Sequence, residues 1–385
     1  MIIDEKQQKS YRVLGLMSGS SLDGLDIAFC TITIQNEPFE VAAWTIQVAE
    51  TIPYSETWVN KLERLPHDTA FHFAATDTEY GRYIGQLVNL FVAKYELQPD
   101  FIASHGHTVF HYPNHLFTSQ IGDGSALAMT TGLPVICNFR AKDIAAGGQG
   151  APLAPVADKY LFAAYHFCLN IGGIINITCQ TPQRLVAFDI TGANQILNSL
   201  ATEVGLAYDH NGNLAATGNI IPELLEQSNK LPFLSQNYPK SLGNDWVQHF
   251  LLPIFQQTNY PVADRLRTAC EHIAIQTALA VAQIQAQEQL PIQSVYQLLP
   301  TGGGVYNNFL MQTIDKQINR ILPVKLVTPS QQVIEFKEAL LIALLGVMRL
   351  ENVPNSFSSV TGAKYDTING DIHQMQAFKA SKVTL

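Results

Sequence analysis

The chain is short of charge, of basic clusters and of long apolar runs. Charged residues fill only 14% of its 385 positions; 23 Lys and Arg stand against 32 Asp and Glu, a net charge of −9 with neutral histidines. No stretch collects Lys and Arg, which argues against nucleic acid or an anionic membrane surface as partner. A phosphate-bearing ligand would have to be held by backbone amides and a metal ion, because the bulk charge repels it. The longest apolar stretch, Ala339 to Val347, is far below the ~20 residues of a membrane span. The five cysteines (Cys30, Cys137, Cys168, Cys179, Cys270) form no CxxC pair and are odd in number. That suits small reduced residues in apolar runs better than a disulfide framework. The opening MIIDEKQQKS lacks the apolar core of a signal peptide. A soluble, cytoplasmic protein is expected.

What is present is apolar: 47% of residues, ample for large cores. Single cores stop growing near ~250–300 residues, so two lobes are expected. YRVLGLM, LDIAFCTITI and FEVAAWTIQVAE have the alternation and β-branching of strands. Residues 67 to 95 carry helical spacing, and FIASHGHTVF and LPVICNFR follow as short buried strands. GGQGAPLAP punctuates the chain at Gly147 to Pro155, before the short helix expected in VADKYLFAAY. HFCLNIGGIINITC then restarts a strand–turn–strand pattern, and LVAFDITGAN adds a third strand and a polar loop. A long helix in ADRLRTACEHIAIQTALAVAQIQ, a strand–glycine loop–helix in SVYQLLPTGGGVYNNFL and an apolar helix in EFKEALLIALLGVMRL complete the pattern. The second half echoes the first in topology. The tail from Glu351 shows little core-forming pattern.

Three glycine-rich loops invite a ligand. The first, within Gly15 to Asp26, carries Gly19, Ser20, Ser21, Asp23 and Gly24, more than the two to five residues a plain hairpin needs. Glycines allow close backbone approach, and hydroxyls and amides can surround phosphate oxygens. The second, Gly172-Gly173, repeats the device in the other half. The third, Thr301-Gly302-Gly303-Gly304, lies between a strand and a helix, where amides and the dipole end favour an anion or a flat ring. It is neither a Walker A loop nor GxGxxG. Each loop alone is equally a tight turn; together they suit a nucleotide.

Asp189 follows the apolar run Leu185 to Phe188, a common place for a catalytic carboxylate and equally for a helix cap. Asp23 and Asp26 flank Gly24 and could orient metal-bound water, or simply form the turn. His105, His107 and His111 have a spacing that invites zinc, but no matching ligand set follows; hydrogen bonding to a polar ligand or to one another fits better. Arg140 could grip a carboxylate or phosphate in bidentate fashion, or pair with Asp143. Glu338 sits among Leu, Ile and Ala and needs a partner, a polar cleft or the helix's solvent face.

GLMSGSSLDGLD, SHGHTVFH, NFRAKDIAAGGQGAPLAP, NIGGIINIT, FDITGAN, PKSLGNDW, TGGGVYNNFL, FKEALLIALLG and SVTGAKYD occur in the order found in anhydro-N-acetylmuramic acid kinases, which the chain resembles from about residue 12 to residue 372. The resemblance implies an α/β fold of two RNase H-like lobes with an interlobe nucleotide cleft, as in the sugar kinase/heat-shock protein 70/actin superfamily. It implies lobe I at 1–150 with the substrate and phosphate loop, an interlobe helix at 151–165, an adenosine-binding lobe II at 166–334, and a closing helix and tail at 335–385 returning towards lobe I. The implied reaction takes ATP, water and 1,6-anhydro-N-acetylmuramic acid to N-acetylmuramic acid 6-phosphate and ADP, in bacterial cell-wall recycling.

In that reading Asp189 is the general base acting on water. The Gly19 to Gly24 loop and Gly172 with Gly173 hold phosphate, and Gly302 to Gly304 hold adenosine. Arg140, Glu338 and His105 lie near the sugar. Mg²⁺ is expected mainly on water and ATP phosphates, near Asp23 or Asp189, and a homodimer is a further expectation. His107 stands where Gln is usual, Asn138 where Asp is, and Thr301 where Cys is; Ile190 and Ala193 alter the context after the base. These departures bear on substrate preference, since Asp189 and the glycines are kept. The rival readings are another superfamily sugar kinase acting on an ordinary hydroxyl and a non-catalytic sugar- or nucleotide-responsive binding protein.

Overall fold

A computed structural model describes residues 8–19, 21–181, 183–291 and 293–374. The chain divides into two compact units, Met1–Leu161 with Phe336–Leu385, and Phe162–Glu335.

The first unit opens with three long strands, β1 (Gln8–Ser18), β2 (Gly24–Asn36) and β3 (Phe39–Pro53), joined as antiparallel neighbours. Val13, Leu14, Leu16, Ile27, Ile32 and Ile34 are buried, which is why this β-branched sequence reads as nearly continuous apolar runs. β4 (Phe101–Tyr112) joins the other side of β1 in parallel, and β6 (Val135–Cys137) lies parallel beyond it. β5 (Phe117–Ile121) folds back on β4. Helix Ala70–Lys94 starts on Thr69, whose side chain accepts from the His72 amide, and buries Tyr80, Ile84, Val88 and Phe91. The tail that lacks an apolar pattern is nonetheless structured in its described part, as far as residue 374. Its strand Asp371–His373 pairs antiparallel with β6, and Asn355 and Asn369 are buried in a polar network rather than an oily one.

The second unit repeats the plan. β7 (Phe167–Ile171), β8 (Ile174–Gln180) and β9 (Leu185–Gly192) are antiparallel neighbours. β10 (Tyr296–Thr301) is parallel to β7, and β11 (Val324–Leu326) is parallel to β10. Apart from β5 and Asp371–His373 at the margin of the first, the first sheet runs β3-β2-β1-β4-β6 and the second β9-β8-β7-β10-β11, and in each of these five-strand sets only the second strand in that order, β2 or β8, is antiparallel to the rest. That is the RNase H-like order, and the expected α/β fold of two such units is met. Helix Val262–Gln287 packs Leu266, Ala269, Ile273, Thr277 and Val281 inward at helical spacing. Its buried His272 pins β9: Thr191 Oγ1 and His272 Nε2 are 2.9 Å apart, and His272 Nδ1 meets Asn229 Oδ1 at 2.7 Å. Burial holds the His272 pKa down at about 3, so the ring is neutral and serves as one donor and one acceptor.

Gly15 shows how closely sheet and helix approach in the first unit. A Cβ there would fall 1.9 Å from the Ala339 carbonyl oxygen, on helix Gln331–Leu350. No side-chain rotation relieves a clash with backbone. Gly15→Ala is expected to cost about 3 kcal/mol, at the upper end of ordinary overpacking. Denaturant unfolding followed by tryptophan fluorescence checks this; an unchanged midpoint contradicts the packing argument.

Candidate functional site

In the second unit, Asp189 lies inside β9, three residues before the strand ends at Gly192, rather than at its tip. Helix Asn194–Thr202 is capped at Ala193 without a side-chain bond, so Asp189 is not its N-cap. A loop from the PKSLGNDW block holds the carboxylate instead. Asp189 Oδ2 accepts from Ser241 Oγ at 2.9 Å and from the Leu242 amide at 2.8 Å, while the Asp189 amide donates to the Lys240 carbonyl at 3.2 Å. Lys240 in turn ties the loop down, its Nζ donating to the carbonyls of Leu234 at 3.0 Å and Phe233 at 3.3 Å. Both donors serve Oδ2; Oδ1 receives no hydrogen bond from the described residues. Burial raises the Asp189 pKa above the ordinary carboxylate value, and the bonds from Leu242 and Ser241 oppose that rise.

The glycines separate into two groups. Gly24 opens β2, and a Cβ there would meet the Ile52 carbonyl oxygen at 2.5 Å. Gly302 has φ +83°, and a Cβ on Gly304 would meet Ile171 Cγ2 at 2.2 Å. Packing and backbone conformation explain these three without a ligand. Gly303 is different, since a Cβ there would meet nothing within 4 Å. The Gly172 and Gly173 carbonyls accept the amides of Asn194 at 3.1 Å and Ala193 at 2.8 Å, so the second hairpin also seats the start of helix Asn194–Thr202. In the first loop a Cβ on Gly19 would meet Ser21 Oγ at 3.4 Å, an ordinary contact, Ser21 Oγ donates to Asp23 Oδ1 at 2.6 Å, and Leu22 takes the left-handed φ of +57°. Ser20 lies outside the described residues.

Gly303 borders a cavity of about 520 Å³ within the second unit, lined also by Asn194, Asn198, Tyr208, His210 and Tyr306. Tyr208 and His210 stack at 28°, and Tyr306 donates to Glu335 Oε1 at 2.9 Å. Asp209, between Tyr208 and His210 in the sequence, is buried and accepts the amides of Leu214 and Ala215, both at 2.9 Å. Flat rings over a glycine floor suit a planar base. Nothing in a single sequence singled out Tyr208, His210 or Tyr306, because their neighbourhood is made by loops distant in the chain.

In the first unit, His105 and Arg140 are joined. His105 Nδ1 donates to the Gly106 carbonyl at 3.0 Å, so Nε2 is free to accept from Arg140 Nε at 2.9 Å; Arg140 Nη1 donates to the Gly150 carbonyl at 2.7 Å. Burial and the guanidinium push the His105 pKa down to about 3, keeping the ring neutral. Burial lowers Arg140 to about 10, opposed by Glu338, and leaves it cationic. Glu338 is solvent-exposed by area yet walled by protein, and this desolvation raises its pKa against the pull of Arg140 and Lys337. Arg140 thus does not pair with Asp143, which bonds elsewhere.

His107 and His111 have other partners, Ser18 Oγ at 3.1 Å and Thr118 Oγ1 at 3.1 Å. Tyr80, Tyr54, Ser18 and His107 form one buried chain of hydrogen bonds, with the Tyr54 pKa pushed up to about 12 and His107 down to about 4 by burial. Asn138 has φ +65°, which asparagine tolerates, and donates to Asp371 Oδ2 at 2.7 Å. The described residues hold no group of three or more His, Cys, Asp and Glu able to bind a metal ion. A magnesium ion that keeps its waters and leans on phosphates needs only one or two carboxylates. The exposed Asp23, whose Oδ1 takes a bond from Ser21 in the first loop, fits that requirement. No helix among the described residues is long and apolar enough to cross a membrane.

The family model described as anhydro-N-acetylmuramic acid kinase matches residues 11–375. The chain is 33% identical over 372 residues to the anhydro-N-acetylmuramic acid kinase of Haemophilus influenzae, covering 91% of this chain and 94% of that one. It is 33% identical over 397 residues to that of Crocosphaera subtropica, covering 94% and 98%. Among solved structures, the activator of the 2-hydroxyisocaproyl-CoA dehydratase from Clostridium difficile with bound ADPNP covers 86% of this chain and 93% of its own, at 12% identity and a TM-score of 0.39. That last likeness carries no argument.

Because Gly303 alone of its loop faces open space, Gly303→Val should fold normally and fill part of the cavity. Titration with a non-hydrolysable ATP analogue is expected to show at least a ~10-fold loss of affinity, the scale of one misfitted contact of about 1.4 kcal/mol. Unchanged affinity in the folded variant removes the cavity as the nucleotide's seat.

Proposed function

The chain belongs to the anhydro-N-acetylmuramic acid kinase family, and from that premise we propose that it uses ATP and water to convert 1,6-anhydro-N-acetylmuramic acid to N-acetylmuramic acid 6-phosphate and ADP. We place this step in the cytoplasm, in the recycling of cell-wall sugars. The observation that carries the reading is the one-sided hold on Asp189: Oδ2 is fully engaged and Oδ1 is open. A carboxylate held this way has a fixed plane and one lone-pair face for a water proton. Oδ1 takes that proton as the water oxygen bonds to the anomeric carbon. The bond from that carbon to O6 breaks, and O6 takes the γ-phosphoryl group as ADP leaves. The raised pKa makes Asp189 a stronger base than a solvated aspartate.

The other residues fall into supporting roles. Arg140, its plane set by His105, would grip the sugar, with Glu338 beside it. Amides around Gly19 and the second hairpin, Gly172 and Gly173, would receive phosphate oxygens, and the rings of Tyr208 and Tyr306 would receive the adenine over Gly303. Mg²⁺, when bound near Asp23, supplies charge neutralisation to the phosphates.

Asp189→Asn is expected to keep affinity for an ATP analogue within ~2-fold and to lose turnover by at least ~100-fold, the usual weight of a positioned base. Near-normal turnover overturns the assignment. Products formed in ¹⁸O-labelled water should carry the label at the anomeric carbon. Phosphorylation without label there, or ADP release with glucose or glucosamine instead, favours a kinase of ordinary hydroxyls.

The pH dependence follows from the same bonds. Activity needs ionised Asp189, so kcat falls as pH drops through its raised pKa. The Ser241 bond favours the ionised form. Ser241→Ala should therefore move the acid limb of the kcat–pH profile to higher pH. A limb that stays put or moves down shows that Asp189 is not the titrating group.

A further inference from the structure

Asp143 is fully buried, and no cation pairs with it among the described residues. An isolated buried carboxylate is costly unless donors saturate it. Three do. Oδ1 accepts from Ser356 Oγ and Thr361 Oγ1, both at 2.7 Å, and Oδ2 accepts from the Gly150 amide at 2.7 Å. Gly150 is also the residue whose carbonyl holds Arg140 Nη1. One peptide unit thus separates the buried carboxylate from the guanidinium's anchor. The tail adds further ties: Asn369 Oδ1 accepts the amides of Lys142 at 3.1 Å and Asp143 at 3.2 Å, and the Thr361 carbonyl accepts the Gln149 amide at 2.9 Å.

We propose that Asp143 is a positioning residue for Arg140, and that the polar 355–370 segment exists to hold it there. This rests on the reading of Arg140 as a sugar-gripping group. Nε and one N–H of Nη1 are committed to His105 and Gly150, so the direction of the three remaining N–H groups, two on Nη2 and one on Nη1, is set by where those two acceptors stand. His105 is fixed by β4. Gly150 is in a loop, and the loop is fixed through Asp143 by two hydroxyls from more than 200 residues further along the chain. A small shift of Gly150 turns the guanidinium directly, and misplacement by ~1 Å is enough to cost orders of magnitude in a reaction of this kind. The tail that carries no apolar pattern is accordingly rich in Ser, Thr and Asn at the buried positions Asn355, Ser356, Thr361, Thr367 and Asn369.

The test measures KM for the anhydrosugar and for ATP separately, by ADP release, in the full chain. Arg140→Ala examines the premise and should raise the sugar KM at least ~10-fold; no change there defeats the reading of Arg140 itself. Ser356→Ala keeps the carboxylate and removes one of its three donors, so it keeps the fold even where Asp143→Asn does not. It is expected to raise the sugar KM at least ~3-fold and leave the ATP KM within ~2-fold. On an Arg140→Ala background it should add nothing further. If Arg140→Ala acts but Ser356→Ala leaves the sugar KM unchanged, moves both KM values together, or adds its full effect on the Arg140→Ala background, the positioning role is overturned and the reading of Arg140 stands.

Discussion

Two hydrogen bonds to one oxygen of Asp189 are the constraint on which the proposed chemistry depends. A carboxylate bonded through both oxygens would be a structural group, saturated and inert. One bonded through neither would swing through its rotamers and wait in solvent at its ordinary pKa. Holding Oδ2 alone with Ser241 and the Leu242 amide gives an oriented carboxylate, half-buried, with Oδ1 still open. The loop that provides those donors is itself held by Lys240, whose amine reaches back to the carbonyls of Phe233 and Leu234. Position is therefore passed from a lysine to a loop to the proposed base, each link a polar contact.

The same economy appears around Arg140. An arginine has three flexible bonds too many to be a precise ligand grip unless its own donors are partly consumed. Here a neutral imidazole and one carbonyl consume two of them. The imidazole is kept neutral by burial and by the cation beside it, so its accepting nitrogen is not lost to protonation in any ordinary pH range. Asp189 and His105 stand on strands β9 and β4, and polar loops supply the partners that orient Asp189 and Arg140, while the cores below are packed by Val, Ile, Leu and Phe.

The glycines correct a habit of interpretation. A run such as Gly302-Gly303-Gly304 looks like one device, yet two of the three glycines are required by the protein's own packing and only Gly303 opens on a cavity. Gly24 likewise answers to the Ile52 carbonyl. Steric need and ligand access cannot be told apart along a chain, because both remove the same Cβ. They separate once the neighbouring strand is in place.

Periodicity in the sequence by itself determined the two sets of strands, the long helices and the α/β class, since alternation and helical spacing are local consequences of burial. The order of nine motif blocks determined the family. Asp189, Arg140, Glu338 and His105 could be singled out because a charged or titratable residue in an apolar setting stands out. Tertiary structure alone decided which oxygen of Asp189 is free, that Arg140 turns to His105 and Gly150 rather than to Asp143, and that Tyr208 and Tyr306 share a cavity. It also decided that the tail is ordered through buried Asn, Ser and Thr. The reason is physical: hydrogen bonds between residues 10 to more than 200 positions apart leave no periodic trace, and polar side chains that satisfy one another inside a protein look, in sequence, like the surface.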